Sequence, residues 1–444
     1  MSKGDHKIFS NLPNPLMSLP FLILFVCLGA ISLLIWLGVL LQPARPWDFQ
    51  PVGDDEELPP EPHVWPSVRI LVPARNESES LPHTLPSLLQ QDYPGEFAVI
   101  VIDDRSEDGT ADMARKLAEE SGAVDRLTVI SGAALPQGWV GKVWALAQGA
   151  AHCGLHGQWK SQAEADCGLP RGEGPSLVTG KPKYLLLTDA DIRHAPGSLR
   201  RLVAESERDH LALNSRMARL RCVSAAERLL IPPFVFFFNL LYPMRQVNAR
   251  RSAVAAAAGG CVLLATSALE RAGGFSCIKD KIIDDVGLAR QIKALNEPIQ
   301  LALSRSEVES LRVYDSLATI WVMVRRTAFT ELRYSWVRLA GTVIGMLLMF
   351  LLPPLWTVGG ISAVLASLAG GRAVSFSWTL ALAVVEGLCA WAIMAAVYRP
   401  AIRFFGLPGT RCWTLPLAGM LYGAMTVDSA VRHVTGMRIR WRDH

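Results

Sequence analysis

Long uncharged stretches at both ends of this chain restrict what it can fold into. Leu16 to Leu41 carries no charged residue, and at 1.5 Å per residue a helix of that length crosses ~30 Å of hydrocarbon. Leu339 to Gly371 is also uncharged, with Pro353-Pro354 as an expected break, and Ala373 to Tyr398 is interrupted only by Glu386. Trp413 to Val427 is short for a full crossing and is expected to lie in the interface or re-enter. These runs explain why the 444 residues are 50% hydrophobic and only 19% charged, against about 25% charged in soluble domains. An ordinary soluble enzyme is thereby excluded, and so is a disordered chain. Trp36 and the leucine-rich finish of the first run mark a retained anchor rather than a cleaved signal.

Basic residues beside the spans set the expected orientation. Arg325, Arg326, Arg333 and Arg338 precede the second run, Arg399, Arg403 and Arg411 follow the third, and only Arg372 lies between. This places both flanks, and the middle of the chain, in the cytoplasm. The first run points the other way, with Lys3 and Lys7 outside it and Asp54 to Glu57 inside; the larger C-terminal count governs the expectation. The net charge of +4 is too mild and too dispersed for nucleic acid. Eight cysteines (27, 153, 167, 222, 261, 277, 389 and 412) form no C-x-x-C pair and read as reduced, small apolar residues.

Four units follow: an N-terminal anchor (1–42), a proline-rich acidic linker (43–66), a middle domain (67–335) and a C-terminal membrane region of two to three helices (336–444). In the middle domain the texture alternates between strand and helix. Val68 to Val72, Phe97 to Ile102, Leu127 to Ile130 and Tyr184 to Thr188 read as strands, and Leu81 to Leu89 and Thr110 to Ser121 as helices. The implied fold is α/β, a mostly parallel sheet with helices on both faces. Residues 153–182 read as a surface insertion.

In such sheets ligands sit beyond the carboxyl ends of the strands, and here those ends are polar. The first continues into Pro73-Ala74-Arg75-Asn76-Glu77. The second ends in Asp103-Asp104, where adjacent acids suit the hydroxyls and base N–H groups of a nucleoside; Asp108 or Thr110 caps the next helix. The fourth ends in Asp189-Ala190-Asp191. Carboxylates at i and i+2 can hold a hard divalent cation and leave positions for phosphate oxygens, a turn cap being the plainer alternative. His194 reads as an exposed loop histidine.

Gly138-Trp139-Val140-Gly141-Lys142 offers a glycine turn and a cation for a diphosphate. It is not a P-loop, because Val143 replaces the Ser or Thr and Pro136 the first Gly. Asp284-Asp285 opens a helix after Gly273-Gly274-Phe275. Such a pair caps a helix or, by mutual repulsion, raises a carboxyl pKa toward that of a base. Arg228 to Tyr242, with Phe234, Phe236, Phe237 and Phe238 between arginines and Pro232-Pro233 as a break, reads as an interfacial segment within 228–251.

Together these motifs resemble the family 2 glycosyltransferases with a GT-A, Rossmann-like fold, in their membrane-anchored, lipid-modifying branch. The carrying residues are Pro73 to Glu77, Asp103 to Thr110, Thr188 to Asp191, Gly273 to Phe275 and Asp284-Asp285. Gly138 to Gly149 is further similar to hopanoid-associated and ceramide glucosyltransferase relatives. The resemblance implies that Pro73, Ala74, Glu77, Asp103 and Asp104 line the nucleoside pocket, with Lys142 at the diphosphate. It implies Mg²⁺ or Mn²⁺ on Asp189 and Asp191, and Asp285, beside Asp284, as general base. The usual Glu-Asp is here Asp284-Asp285. The usual Q-x-x-R-W corresponds to Thr330-Glu331-Leu332-Arg333-Tyr334, which keeps Arg333 to stabilise the leaving group. That departure favours a single transfer over processive polysaccharide synthesis. The implied activity is inverting transfer from a nucleotide-sugar such as a UDP-hexose to a membrane lipid, at a bacterial inner membrane.

Overall fold

The computed structural model describes residues 19–49, 51–52, 59–155, 180–369 and 374–435; most of the expected insertion and Cys167 lie outside them. The middle of the chain forms an eight-stranded sheet. Its strands are β1 (Pro51–Val52), β2 (Val68–Ala74), β3 (Phe97–Asp103), β4 (Leu127–Ser131), β5 (Tyr184–Leu187), β7 (Leu213–Met217), β8 (Val262–Ala265) and β9 (Ile299–Ser304), in the order β1-β9-β7-β8-β5-β2-β3-β4. Only β8 runs antiparallel to its neighbours. A two-stranded ribbon, β6 (Ile192–His194) with β10 (Val308–Ser310), stands beside the sheet.

Every residue of β2 and β3 is buried, because helices cover both faces of a parallel sheet. One face packs α2 (Leu81–Leu89), α3 (Thr110–Glu120) and α5 (Ser198–Asp209). The other packs α4 (Gly141–His152), α8 (Thr266–Arg271) and α9 (Asp284–Ala294). The segment read as a proline-rich linker supplies β1, which pairs with β9 at Pro51–Leu303 and Val52–Ser304. Asp48 also meets Arg245 at 2.7 Å, so the anchor is pinned to the domain.

The remaining helices are α1 (Leu19–Leu41), α6 (Ala225–Leu241), α7 (Met244–Asn248), α10 (Leu317–Glu331), α11 (Trp336–Met346), α12 (Leu352–Ala369), α13 (Val374–Phe404) and α14 (Leu415–Val434). Ile23–Leu41, Trp336–Ala366 and Trp378–Phe404 are each long and apolar enough to cross a membrane. Pro353-Pro354 does not break the second of these. Between α11 and α12 the helix widens into one π turn, in which Leu352 N–H donates to Leu347 O. Leu352 N–H is thereby taken from Leu348 O, its α partner, and because neither proline has an N–H, Leu348 O has no π partner and Met349 O neither an α nor a π partner. Ser32 Oγ and Trp36 Nε1 of α1 supply them, each at 2.7 Å. Hydrocarbon offers no water for such groups, so a protein donor must take its place.

The phenylalanine segment also differs from expectation. Helix α6 is continuous from Ala225 to Leu241 through Pro232-Pro233, opened by a Ser224–Glu227 capping box. Phe236 is fully buried, edge-on to Tyr398 at 5.3 Å, while Phe237 meets Phe350 and Tyr422. These rings join the domain to the helical bundle rather than facing lipid. Arginine flanks and an aromatic face look the same in sequence whichever apolar partner they meet.

Candidate active site

The carboxyl ends of β2, β3 and β5 converge on one edge. Ala74 lies opposite Asp103 in the β2–β3 register, and Asp104 N–H donates to Ala74 O at 2.8 Å. The two following loops are cross-braced. Glu77 N–H donates to Thr110 Oγ1, Ser78 N–H to Asp108, and Asn76 N–H to Ser106 Oγ, each at 2.9 Å. Glu77 is buried and accepts from Ser80 Oγ at 2.7 Å. Asp104 is buried too, flanked by Arg75 at 3.4 Å and Arg105 at 3.6 Å.

Beside them lies a cleft holding about 330 Å³ of empty space, lined by Pro73, Lys142, Thr188, Asp189, Gly259, Asp284, Asp285 and the buried Phe275. Ala74, Glu77, Asp103 and Asp104 lie outside its walls, on the adjoining strand ends. Lys142, on the first turn of α4, lies 2.7 Å from Asp189 Oδ1 and 3.4 Å from Asp284 Oδ2. Burial opposes its charge, but Asp189 and Asp284 hold the ammonium above the usual lysine range. The cation thus joins the Asp189-Ala190-Asp191 turn to the start of α9.

Asp285 is held from two sides: Gly259 N–H donates to its Oδ2 and Val286 N–H to its Oδ1, both at 2.7 Å. Burial first, and Asp284 second, push its carboxyl up to about 7, with Lys142 pulling the other way. A carboxyl poised near neutrality can take up and release a proton at physiological pH.

Two parts of this site were not anticipated. Gly259-Gly260 ends an alanine-rich stretch, and a Cβ on Gly259 would sit 3.2 Å from Lys142 Nζ and 3.3 Å from Asp285 Oδ2. A side chain there would have to push Lys142 and Asp285 aside by a few tenths of an ångström, and the Gly pair was the available signal. His194 is buried rather than exposed. Its Nε2 lies 2.9 Å from Thr188 Oγ1, which donates to Gly260 O. Burial pulls its pKa down to about 4, so it braces the residue before Asp189 as a neutral ring.

Asp191 is largely buried, 3.5 Å from Arg312 Nη1. Burial and Asp189 raise its carboxyl pKa, which marks a place that favours added positive charge. Among the described residues no third histidine, cysteine or carboxylate completes a metal-holding group. Two hard carboxylates, with the remaining positions left to phosphate and water, fit Mg²⁺ or Mn²⁺. Arg333 is exposed, in the left-handed region (φ 50°) beyond the end of α10, and no described contact joins it to the acidic cleft. Its neighbour Glu331 does turn inward, accepting from Tyr242 OH at 2.8 Å, and Arg290 of α9 donates to that same hydroxyl at 3.2 Å.

Residues 69–159 match the family model "Glycosyl transferase family 2", and residues 175–444 match "Glycosyl transferase family 21". No curated protein matches the sequence. Among solved structures the chain is similar to the mannosyltransferase PcManGT from Pyrobaculum calidifontis in complex with GDP-Man and Mn²⁺. That likeness has a TM-score of 0.46 and 18% identity over 93% of this chain and 95% of that one. It is also similar to S. aureus TarS in complex with UDP-GlcNAc, at TM-score 0.33 and 14% identity over 83% and 92%. A third is glucosyl-3-phosphoglycerate synthase from Mycobacterium tuberculosis in complex with Mg²⁺ and UDP, at 0.33 and 17% over 60% and 79%. The second family model spans more than half of the chain and takes in Asp189, Asp191, Asp284 and Asp285: the chain belongs to glycosyltransferase family 21, with a family 2 match confined to residues 69–159.

Proposed function

We propose that this glycosyltransferase moves a sugar, with inversion, from a nucleoside diphosphate donor to a hydroxyl of a membrane lipid. The observation that carries the reading is Asp285, a half-buried carboxyl whose pKa is pushed up to about 7, held at both oxygens beside Lys142 and Asp189. Asp285 takes the proton from the acceptor hydroxyl, and the hydroxyl oxygen bonds to the anomeric carbon. The bond from that carbon to the diphosphate oxygen breaks, its electron pair leaving with the nucleoside diphosphate. Lys142 meets the growing negative charge. Asp189 and Asp191 would hold a divalent cation, which when bound neutralises the diphosphate. Asp104, buried between Arg75 and Arg105, accepts from the nucleoside.

The lipid acceptor is supported by the way the base is tied to the bundle. Tyr242, just beyond α6, is bonded both to Arg290 of α9 and to Glu331 of α10, which leads into apolar α11. A base set between such elements reaches a hydroxyl at the membrane surface on the cytoplasmic side. Neutral hydroxylated lipids of the hopanoid or ceramide type are the acceptor class favoured.

The test uses purified full-length protein in lipid nanodiscs with UDP-glucose, UDP-N-acetylglucosamine and GDP-mannose, each with Mn²⁺ or EDTA. Nucleoside diphosphate release and lipid mass are followed together. A lipid heavier by one hexose or N-acetylhexosamine unit is expected. Transfer only to soluble acceptors would remove the lipid reading, and full turnover in EDTA the metal.

A further inference from the structure

The backbone between α7 and β8, residues 249–261, touches both halves of the cleft. Gly259 N–H holds Asp285, and Gly260 O accepts from Thr188 Oγ1, next to Asp189. Yet its sequence, Ala-Arg-Arg-Ser-Ala-Val-Ala-Ala-Ala-Ala-Gly-Gly-Cys, offers few side chains large enough to fix a loop by packing. Ala255, Ala256 and Ala257 are buried in the core, and polar groups from outside add the directional contacts that these small side chains cannot make.

The main one is Lys293. Its ammonium lies 3.2 Å from Gln246 O, 2.6 Å from Val247 O and 2.6 Å from Val254 O, so all three N–H donors have main-chain acceptors. The first two carbonyls belong to α7, too short to satisfy its own C-terminus. Asn248 adds two hydrogen bonds to β9, donating to Leu301 O at 3.1 Å and accepting from Leu301 N–H at 2.8 Å. Ser215 Oγ of β7 receives from Ala258 N–H at 2.9 Å.

Lys293 and Asp285 lie on the same helix, α9. That helix therefore holds the loop at two points, by a cation that ties Val254 to Gln246 and Val247 of α7 and by the carboxylate at Gly259. We infer that Lys293 is a positioning residue for transfer: by clamping this loop it sets where Gly259 N–H stands, and so how Asp285 is aimed. This rests on the reading of Asp285 as the base. Lys293 touches neither the acidic cleft nor its lining, so donor binding is spared.

The test is kinetic, on full-length protein in nanodiscs, with whichever of UDP-glucose, UDP-N-acetylglucosamine and GDP-mannose the wild type turns over. Lys293→Met is expected to lower kcat about tenfold, the scale of a small misplacement of a reacting group, with the donor KM within about twofold of wild type. Lys293→Arg, which keeps a cation with several donors, is expected to recover most of the rate. In the double variant Lys293→Met/Asp285→Asn the loss should not exceed that of Asp285→Asn alone, since both changes act through one group. Losses that multiply in the double variant, a raised donor KM, an unchanged kcat in Lys293→Met, or no recovery in Lys293→Arg would each overturn the proposal. Retained turnover in Asp285→Asn would instead remove the base on which it rests, which separates the two failures.

Discussion

The Nζ of Lys142 lies 2.7 Å from Oδ1 of Asp189, and the same ammonium reaches Asp284 at 3.4 Å. One cation thus serves the two acidic motifs, which are separated by almost a hundred residues. Replacing Lys142 with Met should lower transfer by about 10²-fold, a usual loss when one preorganised charge is removed. It should also change the pH profile. Lys142 pulls the Asp285 carboxyl down against burial and Asp284, so its loss must move the acid limb of the profile to higher pH. An unmoved limb would mean that the two groups are not coupled.

Asp285 must be ionised to accept a proton, and its carboxyl is pushed up to about 7. Its charged fraction therefore falls tenfold per unit below that pH. Transfer should rise with unit slope from about pH 5 to pH 7 and then level off. The groups setting this limb are Asp284 and Lys142, with the Gly259 and Val286 amides. Asp285→Asn should keep donor binding and lower kcat by about 10²-fold or more. A greater loss in Asp284→Asn would reverse the two roles.

Asp191→Asn removes one of the two hard donors beyond β5. Activity should fall to a small residue, and the Mn²⁺ concentration giving half-maximal rate should rise. Titration calorimetry with Mn²⁺ and UDP provides a readout without turnover, and equal affinity in wild type and variant would count against these ligands.

Phe236 has no exposed surface. Phe236→Ala should therefore destabilise the whole protein by about 3–5 kcal/mol, the range for a buried aromatic, and donor hydrolysis and lipid transfer should fall together. A selective loss of lipid transfer, with the thermal midpoint unchanged, would restore a lipid-facing role for this ring.

Trp36→Phe keeps an aromatic ring, though a smaller one, and deletes the N–H given to Met349 O. Leaving that carbonyl unpaired should cost about 1–3 kcal/mol, visible as a lower midpoint in detergent. Leu34, 65% exposed on the same helix, serves as the control, and Leu34→Phe should change little.

The strands were legible because a parallel sheet covered on both faces needs near-continuous apolar runs: Phe97 to Ile102 is one, and Val68 to Val72 is another but for Arg69, which pairs with Glu96 at 3.0 Å. The acidic groups were legible because polarity at a strand end stands out against them. Gly259-Gly260 was not, since its role depends on where α9 and β7 bring a loop of small residues. His194 was misread because nothing local tells a buried ring from a solvated one. Pro353-Pro354 was read as a break because the donors that repair it, Ser32 and Trp36, lie more than three hundred residues earlier in the chain.

That distance has a consequence for biosynthesis. Helix α1 leaves the ribosome before the catalytic domain, yet the carbonyls it must satisfy are made only after that domain. That helix has to stay close by, with its Ser32 and Trp36 donors uncommitted, until the C-terminal helices arrive. An unrelated apolar helix in its place would keep the protein on the membrane but leave the repaired turn open. The anchor is in this sense the last piece of the bundle to be used, and exchanging it for a generic one should give protein that inserts and then fails quality control.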